Sequence, residues 1–349
     1  MNLKALNLFS RLIIIVLCLT TNVWKVKAAY FSPVSDDKPE KKVILTLGVI
    51  WEGQDLTAHN LEALKQIKED LQWIPTIQFL NPAYFTKART NKDHTLKLVQ
   101  SVISKNDIIG LHLHPWRSFI KDAKIKFRKQ PTFWGNQLSE SNHAQEWGHE
   151  VPLSIYTETE IIKMIEHSQH LFAQNQLGSP KVFMAGGWMA APHVLEAVRK
   201  CGIFYDASAI AIELTKKRLK HFPLYSWLKN IWGSIKPPFQ PFLSQTEQGS
   251  LRQIVLNGGI PDYNSSKEIM ERFINMLKND HHLDTGKTHF HLAIYQETAW
   301  DTLRSLLSTV EQLKSYASDH NIQFVNIDSL KDLFPIKDEV FNIKLSSKD

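Results

Sequence analysis

Short apolar runs alternate with amphipathic stretches along the chain from residue 43 onward. Short apolar runs are typical of buried strands, and apolar positions recurring every three or four residues predict helices. We predict strands at VILTLGVI, PTIQFL, DIIGLHLH, KVFMAG, IFYDASA, RQIVLN, THFHLAIY and IQFVNI. We predict helices over Ala58 to Leu71, His94 to Ile103, Thr157 to Phe172, Pro192 to Cys201, Lys267 to Leu277 and Trp300 to His320. This alternation, about seven units long, indicates an α/β fold in which a parallel sheet forms a closed or nearly closed barrel.

Two segments interrupt the alternation, residues 117–156 and 210–250. Both are long, rich in Trp, Phe and Pro, and lack helical periodicity, so we predict loops there. In a barrel such loops cover the carboxyl-terminal face of the strands, where active sites lie. Their aromatic side chains could stack on sugar rings or pack as lids, and both roles are compatible.

The first residues have a different pattern, which predicts a secretory signal peptide over residues 1–28. Lys4 and Arg11 precede an apolar core at 12–19, and a small-residue site follows at Val26-Lys27-Ala28. We divide the rest into a linker at 29–42, a barrel domain at 43–335 and a tail at 336–349. Cleavage near Ala28 predicts a periplasmic or secreted protein, and an uncleaved leader would instead anchor it to a membrane.

The leader also changes what charge and cysteine content imply. The full chain carries a formal charge of +6, and removing the four basic residues of the leader leaves +2. We therefore expect no nucleic-acid partner. The same cleavage removes Cys18 and leaves Cys201 alone, which excludes an intramolecular disulfide framework.

Candidate chemistry begins with GLHLHPW, which contains His112 and His114. Strand side chains alternate between faces, so two residues spaced by two point the same way, about 6.6–7 Å apart along the backbone. Two imidazoles placed in this way can coordinate one cation. The alternative is that one histidine packs and the other is solvated.

Alternation along two other strands predicts further polar groups inside the barrel. In VILTLGVIWEG the large apolar residues occupy odd positions, so the inward set is Thr46, Gly48, Ile50 and Glu52. In THFHLAIYQE the apolar set is even, so the inward set is His289, His291, Ala293, Tyr295 and Glu297. The polar groups predicted to converge near the strand ends are Glu52, His112, His114, Tyr295 and Glu297.

Five motifs in order then resemble a known family. GLHLHPW, GHEVPLSIYTETEI, FMAGGWMAAPHVLEAVRKCGIFYDASA, NGGIPDY and AIYQETA follow the order and spacing of the polysaccharide deacetylase superfamily, which includes carbohydrate esterase family 4 and chitooligosaccharide deacetylases. The resemblance covers residues 43 to 330. It implies a distorted (β/α) barrel, a glycan substrate, and a divalent metal, usually zinc, held by an aspartate and two histidines. Such a metal polarises an acetyl carbonyl and lowers the pKa of bound water.

The chain departs from the family pattern at inward positions. His112 fits the first metal histidine, but Trp116 occupies the place of the second, so His114 would substitute for it. Three more family positions, an aspartate, an arginine and a histidine, are filled here by Ile50, Met184 and Tyr295.

Three functions remain open from the sequence. The first is a deacetylase with His112, His114 and Glu52 at the metal, where Glu52, Tyr295 and Glu297 are the catalytic candidates and His289 or His291 could replace the missing acid. The second is a carbohydrate-binding barrel that has lost hydrolysis. The third is a glycosidase that uses Glu52 and Glu297 as its carboxylate pair. For glycan contacts we predict Trp116, His149, Trp188, Asp262 and Tyr263.

Overall fold

The structure is a computed structural model that describes residues 40–87, 91–135, 146–235, 239–278 and 287–334. The predicted leader, most of the linker and the predicted tail lie outside these residues. The signal peptide, export and the domain boundaries therefore stay predictions. Within the described ranges, no helix is both long and apolar enough to cross a membrane.

A curled sheet of nine strands forms the wall of the fold. Its strands are β1 (Lys41–Ile50), β2 (Thr76–Leu80), β3 (Ile108–Leu113), β4 (Val182–Ala185), β5 (Tyr205–Asp206), β6 (Phe242–Thr246), β7 (Gly249–Gln253), β8 (Lys287–Tyr295) and β9 (Ile322–Phe324). Their order is β6-β7-β5-β4-β3-β2-β1-β8, with β9 also beside β1. All pairs are parallel except β6 with β7. The predicted α/β fold with a distorted (β/α) barrel is confirmed.

Helices connect the strands and cover the outside of the sheet. Their bounds are α1 (Ala58–Asp70), α2 (Lys92–Gln100), α3 (Arg117–Asp122), α4 (Glu158–Gln174), α5 (Pro192–Lys200), α6 (Glu213–Leu219), α7 (Pro223–Trp232), α8 (Ser266–Lys278) and α9 (Ala299–Asp319). The start of α4 shows why these sequences begin helices. Thr157 accepts a hydrogen bond from the backbone N–H of Glu160, and the Glu160 carboxylate accepts one from the Thr157 N–H. This reciprocal cap satisfies two amide groups that the first helical turn leaves unpaired.

The two segments predicted to lack helices do contain them, and this prediction was wrong. Residues 117–156 include α3, and residues 210–250 include α6, α7 and the antiparallel pair β6–β7. These helices are 6, 7 and 10 residues long. A helix of about two turns shows too few repeats for its periodicity to be recognised.

The strand predicted at RQIVLN is also shorter than expected. The ladder of β7 ends at Gln253, and the next residues pair with the last residue of β5 and the loop that follows it. Ile254 donates its N–H to the Asp206 carbonyl at 2.7 Å, and Leu256 donates to the Ala209 carbonyl at 2.9 Å. The chain stays extended there without a continuous partner strand.

Side-chain amides complete the barrel wall beside β8. The His289 N–H donates to Gln240 Oε1 at 2.7 Å, and Gln240 Nε2 donates back to the His289 carbonyl at 3.1 Å. Asn257 Nδ2 also donates to the His289 carbonyl, and the His291 N–H donates to Asn257 Oδ1, both at 2.9 Å. Two amide side chains therefore satisfy β8 backbone groups that a neighbouring strand would otherwise pair.

Candidate functional site

The ends of two strands bring Glu52, His112 and His114 together. β1 ends two residues before Glu52, and β3 carries His112 and leads into His114. The ligand atoms of the three side chains all lie within 4.8 Å of one another. His112 Nε2 is 3.5 Å from Glu52 Oε1, and His114 Nε2 is 2.8 Å from Glu52 Oε2. In tetrahedral zinc sites neighbouring ligand atoms are about 3.3 Å apart, so these spacings suit one divalent ion.

The backbone fixes which nitrogen of each histidine faces the carboxylate. His112 Nδ1 lies 3.1 Å from the Met184 carbonyl oxygen, and His114 Nδ1 contacts the carbonyl oxygen of His149. A carbonyl oxygen can only accept, so both Nδ1 atoms carry a proton and donate it. In the neutral rings each Nε2 then has a lone pair.

The Nε2 lone pairs of His112 and His114 point toward the Glu52 carboxylate. Both Nε2 atoms are buried, and neither makes a well-aligned hydrogen bond. A lone pair and a carboxylate oxygen repel unless a proton or a cation lies between them. The donor set and its orientation therefore fit a metal ion held by His112, His114 and Glu52.

The same contacts shift the titration of the three groups. Burial raises the pKa of the Glu52 carboxyl, but His114 and His112 beside it outweigh that effect and hold the pKa well below its usual range. Burial lowers the pKa of His112, whereas at His114 the Glu52 carboxylate overcomes burial and the pKa is raised. Glu52 is therefore the negative ligand that a divalent cation needs.

Two further contacts hold the ligands in place. The Glu52 carbonyl accepts hydrogen bonds from Trp116 Nε1 at 2.9 Å and Asn81 Nδ2 at 3.0 Å. A side chain at Gly186 would place its Cβ 2.5 Å from the His114 ring, so only glycine leaves room for the imidazole. Trp116, predicted to contact glycan, is buried behind the site and positions Glu52.

A cavity of about 220 Å³ opens beside the three side chains. Its wall includes Ile50, Glu52, His112, His114, Phe133, Trp134, His149, Met184, Trp188, Tyr263, Tyr295, Glu297 and Thr298. Ile50, Met184 and Tyr295, where the sequence departs from the family pattern, all line it. The structure therefore places these replacements against the candidate metal ligands.

Glu297 lies next to Glu52 in this cavity. Its Oε1 accepts hydrogen bonds from the Glu52 N–H at 3.0 Å, the Gln54 N–H at 3.4 Å and the Tyr84 hydroxyl at 2.9 Å. Its Oε2 is buried and makes no hydrogen bond with the described residues. Burial, helped by the Glu52 charge, raises the pKa of Glu297 to about 7. A carboxyl group with one fixed oxygen, one unbonded oxygen and this pKa can hold or release a proton near neutral pH.

Aromatic and imidazole groups form the remaining wall. The hydroxyl groups of Tyr263 and Tyr295 are 3.2 Å apart, and Trp188 packs edge-on against Tyr263. The His149 ring stacks on Trp116 at a centroid distance of 4.8 Å, and its Nδ1 is 3.0 Å from Glu150 Oε2. Three of the five residues predicted to contact glycan, His149, Trp188 and Tyr263, thus line this cavity, and Trp116 lies behind His149.

Other predicted residues lie elsewhere. Asp262 lines a second cleft, where its Oδ1 accepts a hydrogen bond from the Thr298 hydroxyl at 2.5 Å. His289 and His291 are buried in the barrel interior and hydrogen-bond Thr46, so neither reaches the cavity to replace a missing acid. Their strand has the predicted orientation, but they lie too far below its carboxyl end.

Sequence reasoning missed Tyr84 and the backbone partners of the histidines. Tyr84 follows β2, at the same edge of the sheet as Glu52, within the short helical turn Pro82–Phe85. The position of a polar group just beyond a strand end is the signal that could have identified it.

The chain is similar in fold to several solved structures. No protein-family model matches the chain, and no curated protein sequence matches it. A candidate polysaccharide deacetylase from Mycobacterium smegmatis is 10% identical with a TM-score of 0.44, covering 85% of this chain and 97% of that one. A 4-alpha-glucanotransferase from Thermococcus litoralis is 10% identical with a TM-score of 0.47, covering 85% of this chain and 41% of that one.

A third structure is a pseudoenzyme of carbohydrate esterase family 4 from Bacillus anthracis. It is 10% identical with a TM-score of 0.39, covering 79% of this chain and 62% of that one. The chain is thus similar to solved members of the family that its motifs resemble. At these scores the similarity carries no argument about its activity.

Proposed function

We propose that this protein is a metal-dependent hydrolase that removes acetyl groups from a glycan. The observation that carries the proposal is the pair of histidines whose Nδ1 atoms contact backbone carbonyls while their Nε2 atoms face Glu52. Nitrogen and carboxylate ligands in this combination favour zinc among the common divalent ions. When bound, the ion supplies a Lewis acid that polarises an acetyl carbonyl and acidifies water.

The protein's own groups supply the proton transfer. Because Glu52 faces both histidines, it serves as a ligand, and Glu297 is the carboxyl group left to accept and return a proton through Oε2. Tyr84 and two backbone N–H groups hold its other oxygen. The hydroxyl pair of Tyr263 and Tyr295 can donate a hydrogen bond to a ligand in the cavity.

The test is acetate release from N-acetylated and O-acetylated oligosaccharides by the zinc-loaded full chain. We expect Glu297→Gln to lower the rate about a hundredfold or more without changing the zinc content, because general acid–base catalysis contributes about 10²–10⁴-fold. Glu52→Gln should lose both zinc and activity. Glu62→Gln, which changes an exposed carboxylate on α1, is the matched control and should behave like the parent.

The carbohydrate-binding barrel is the second candidate, because three family positions that contact the cavity are replaced by Ile50, Met184 and Tyr295. Glycan binding without acetate release, across several metals and substrates, would contradict hydrolysis and support this alternative. A Glu297→Gln variant as active as the parent would contradict the role of Glu297.

A further inference from the structure

A second cleft of about 1090 Å³ adjoins the 220 Å³ cavity beside Glu52, His112 and His114. The two share Trp134, Tyr263, Tyr295 and Thr298 in their walls. Because the shared residues form a continuous surface, a ligand bound in the small cavity can extend into the larger cleft. We call this space the α6 cleft, since α6 contributes Lys217, Arg218 and Leu219 to it.

Exposed aromatic rings line the α6 cleft. Trp134 is 40% exposed and Phe222 is 38% exposed, and their ring centroids are 4.9 Å apart in an edge-on arrangement. Both residues line the cleft. The segments that carry them are joined, because the Leu224 N–H donates to the Phe133 carbonyl at 3.2 Å. Fixed aromatic faces open to solvent indicate a surface for a partly apolar ligand such as a sugar ring.

Two cations on α6 also line this cleft. Lys217 and Arg218 are exposed, and neither has an ion pair within 4.0 Å or a side-chain hydrogen bond to the described residues. The Arg218 guanidinium lies 5.7 Å from the centre of the Tyr263 ring. Asp262 is the acidic group in the same wall, half-buried and hydrogen-bonded to Thr298. The lining therefore has an excess of positive charge available to a ligand.

We propose that the α6 cleft binds the flanking sugars of an acidic glycan, with Lys217 and Arg218 pairing with carboxylate or sulfate groups on those sugars. Aromatic rings alone would serve neutral and charged glycans equally. Two exposed cations without an ion pair within 4.0 Å among the described residues favour a charged one, since a guanidinium matches the fork of a carboxylate or sulfate. The inference rests on the proposed function for the assignment of the adjoining cavity to a glycan.

Calorimetric titration of the zinc-loaded full chain with three hexasaccharides tests this proposal. The neutral probe is the N-acetylglucosamine hexamer, the carboxylate probe is a hyaluronan hexasaccharide, and the sulfate probe is a keratan sulfate hexasaccharide. We expect at least one acidic probe to bind about tenfold more tightly than the neutral one, with a preference that decreases as salt is added. Comparing the two acidic probes identifies the preferred anion.

Variants on α6 supply a charge-matched control. Lys217→Ala with Arg218→Ala should abolish the preference, whereas Lys216→Ala with Lys220→Ala removes the same charge outside the cleft lining and should retain it. Trp134→Ala should weaken all three probes by a similar factor. Equal affinity for the three probes, or an equal loss in both double variants, would overturn the proposal.

Acetate release is measured in parallel so that the two proposals fail separately. Preferential binding of an acidic probe without acetate release would support the acidic-glycan proposal for the α6 cleft and contradict the deacetylase proposal. Acetate release without any preference for an acidic probe would support the deacetylase and contradict the acidic-glycan proposal for the α6 cleft.

Discussion

Two histidine pairs occupy this barrel, His112 with His114 and His289 with His291. Each pair is spaced by two along a parallel strand or just beyond its end, each faces the interior, and all four residues are at most 3% exposed. In spacing and in the face that they occupy, the two pairs are equivalent. In the structure they have different partners and different chemistry.

Depth along the strand and the partner of each ring separate the pairs. His112 and His114 lie at the carboxyl end of β3, where carbonyl oxygens hold both Nδ1 atoms and Glu52 faces both Nε2 atoms. His289 and His291 share the Thr46 hydroxyl at 2.8 and 2.7 Å. Spacing thus determines the face, and the surroundings determine whether a pair can bind a cation or only packs.

Metal content gives the largest expected difference between the pairs. His112→Ala or His114→Ala should lower zinc affinity at least about a hundredfold, because a lost ligand costs more than the 10–100-fold of an outer partner. Elemental analysis of protein purified without chelator measures this. His289→Gln with His291→Gln is the matched control and should retain the metal. An equal loss of zinc in the control would contradict the conclusion that only His112 and His114 bind the metal.

The interior pair should make the fold sensitive to acid. Burial lowers the pKa of His291 to about 4, and burial together with His291 holds the pKa of His289 well below its usual range. Below an unfolded pKa of about 6.5 the unfolded chain binds these protons and the folded chain does not, so stability falls as the pH drops from 6.5 toward 4. For His291 the loss approaches about 3 kcal/mol at pH 4.

Denaturant titrations of the parent and of His291→Gln across this pH range measure the effect. Two buried carboxyl groups, Asp206 and Glu297, have a pKa raised to about 7 by burial and change stability in the opposite direction. The difference between the two curves isolates the histidine. Parallel curves would contradict the assignment of His291 as a buried neutral group.

Thr46→Val removes the hydroxyl that both interior rings bind. We expect a loss of about 2 kcal/mol in the free energy of unfolding, because two buried nitrogens are left without partners. Thr46→Ser keeps the hydroxyl and should lose much less. Zinc affinity should not change in either variant, and a change would show that the two pairs are coupled.

Trp116→Phe tests whether the hydrogen bond from Trp116 positions Glu52 at the metal site, and it has the smallest expected effect of these variants. It removes the hydrogen bond to the Glu52 carbonyl, so zinc affinity should fall about tenfold and stability by about 1 kcal/mol. Trp232→Phe is the matched control, because Trp232 Nε1 donates to the Trp188 carbonyl at 2.9 Å and makes no hydrogen bond to Glu52. It should lose similar stability without losing zinc affinity.

Patterns that repeat within a short stretch were predictable. α1 was predicted within one residue because Leu61, Leu64 and Ile67 repeat on one face, and all three are buried. Strand alternation predicted that Thr46 and His291 both face inward, and the structure pairs them in register on neighbouring strands. These features depend on neighbours in sequence, which single-sequence reasoning can use.

Features that depend on distant partners were not predictable. The carbonyl groups that orient His112 and His114 lie 72 and 35 residues away in sequence. Tyr84, which fixes Glu297, is separated from it by 213 positions. Only the fold brings these atoms together, so the sequence indicates candidate ligands without showing which nitrogen is available.

The amide groups of Gln240 and Asn257 also cover backbone groups at the edge of β8. An unpaired strand edge presents N–H and C=O groups to which a second chain can add. Here Gln240 and Asn257 occupy those groups at His289 and His291. They therefore protect β8 against edge-to-edge aggregation, a role separate from catalysis and from the stability of the isolated chain.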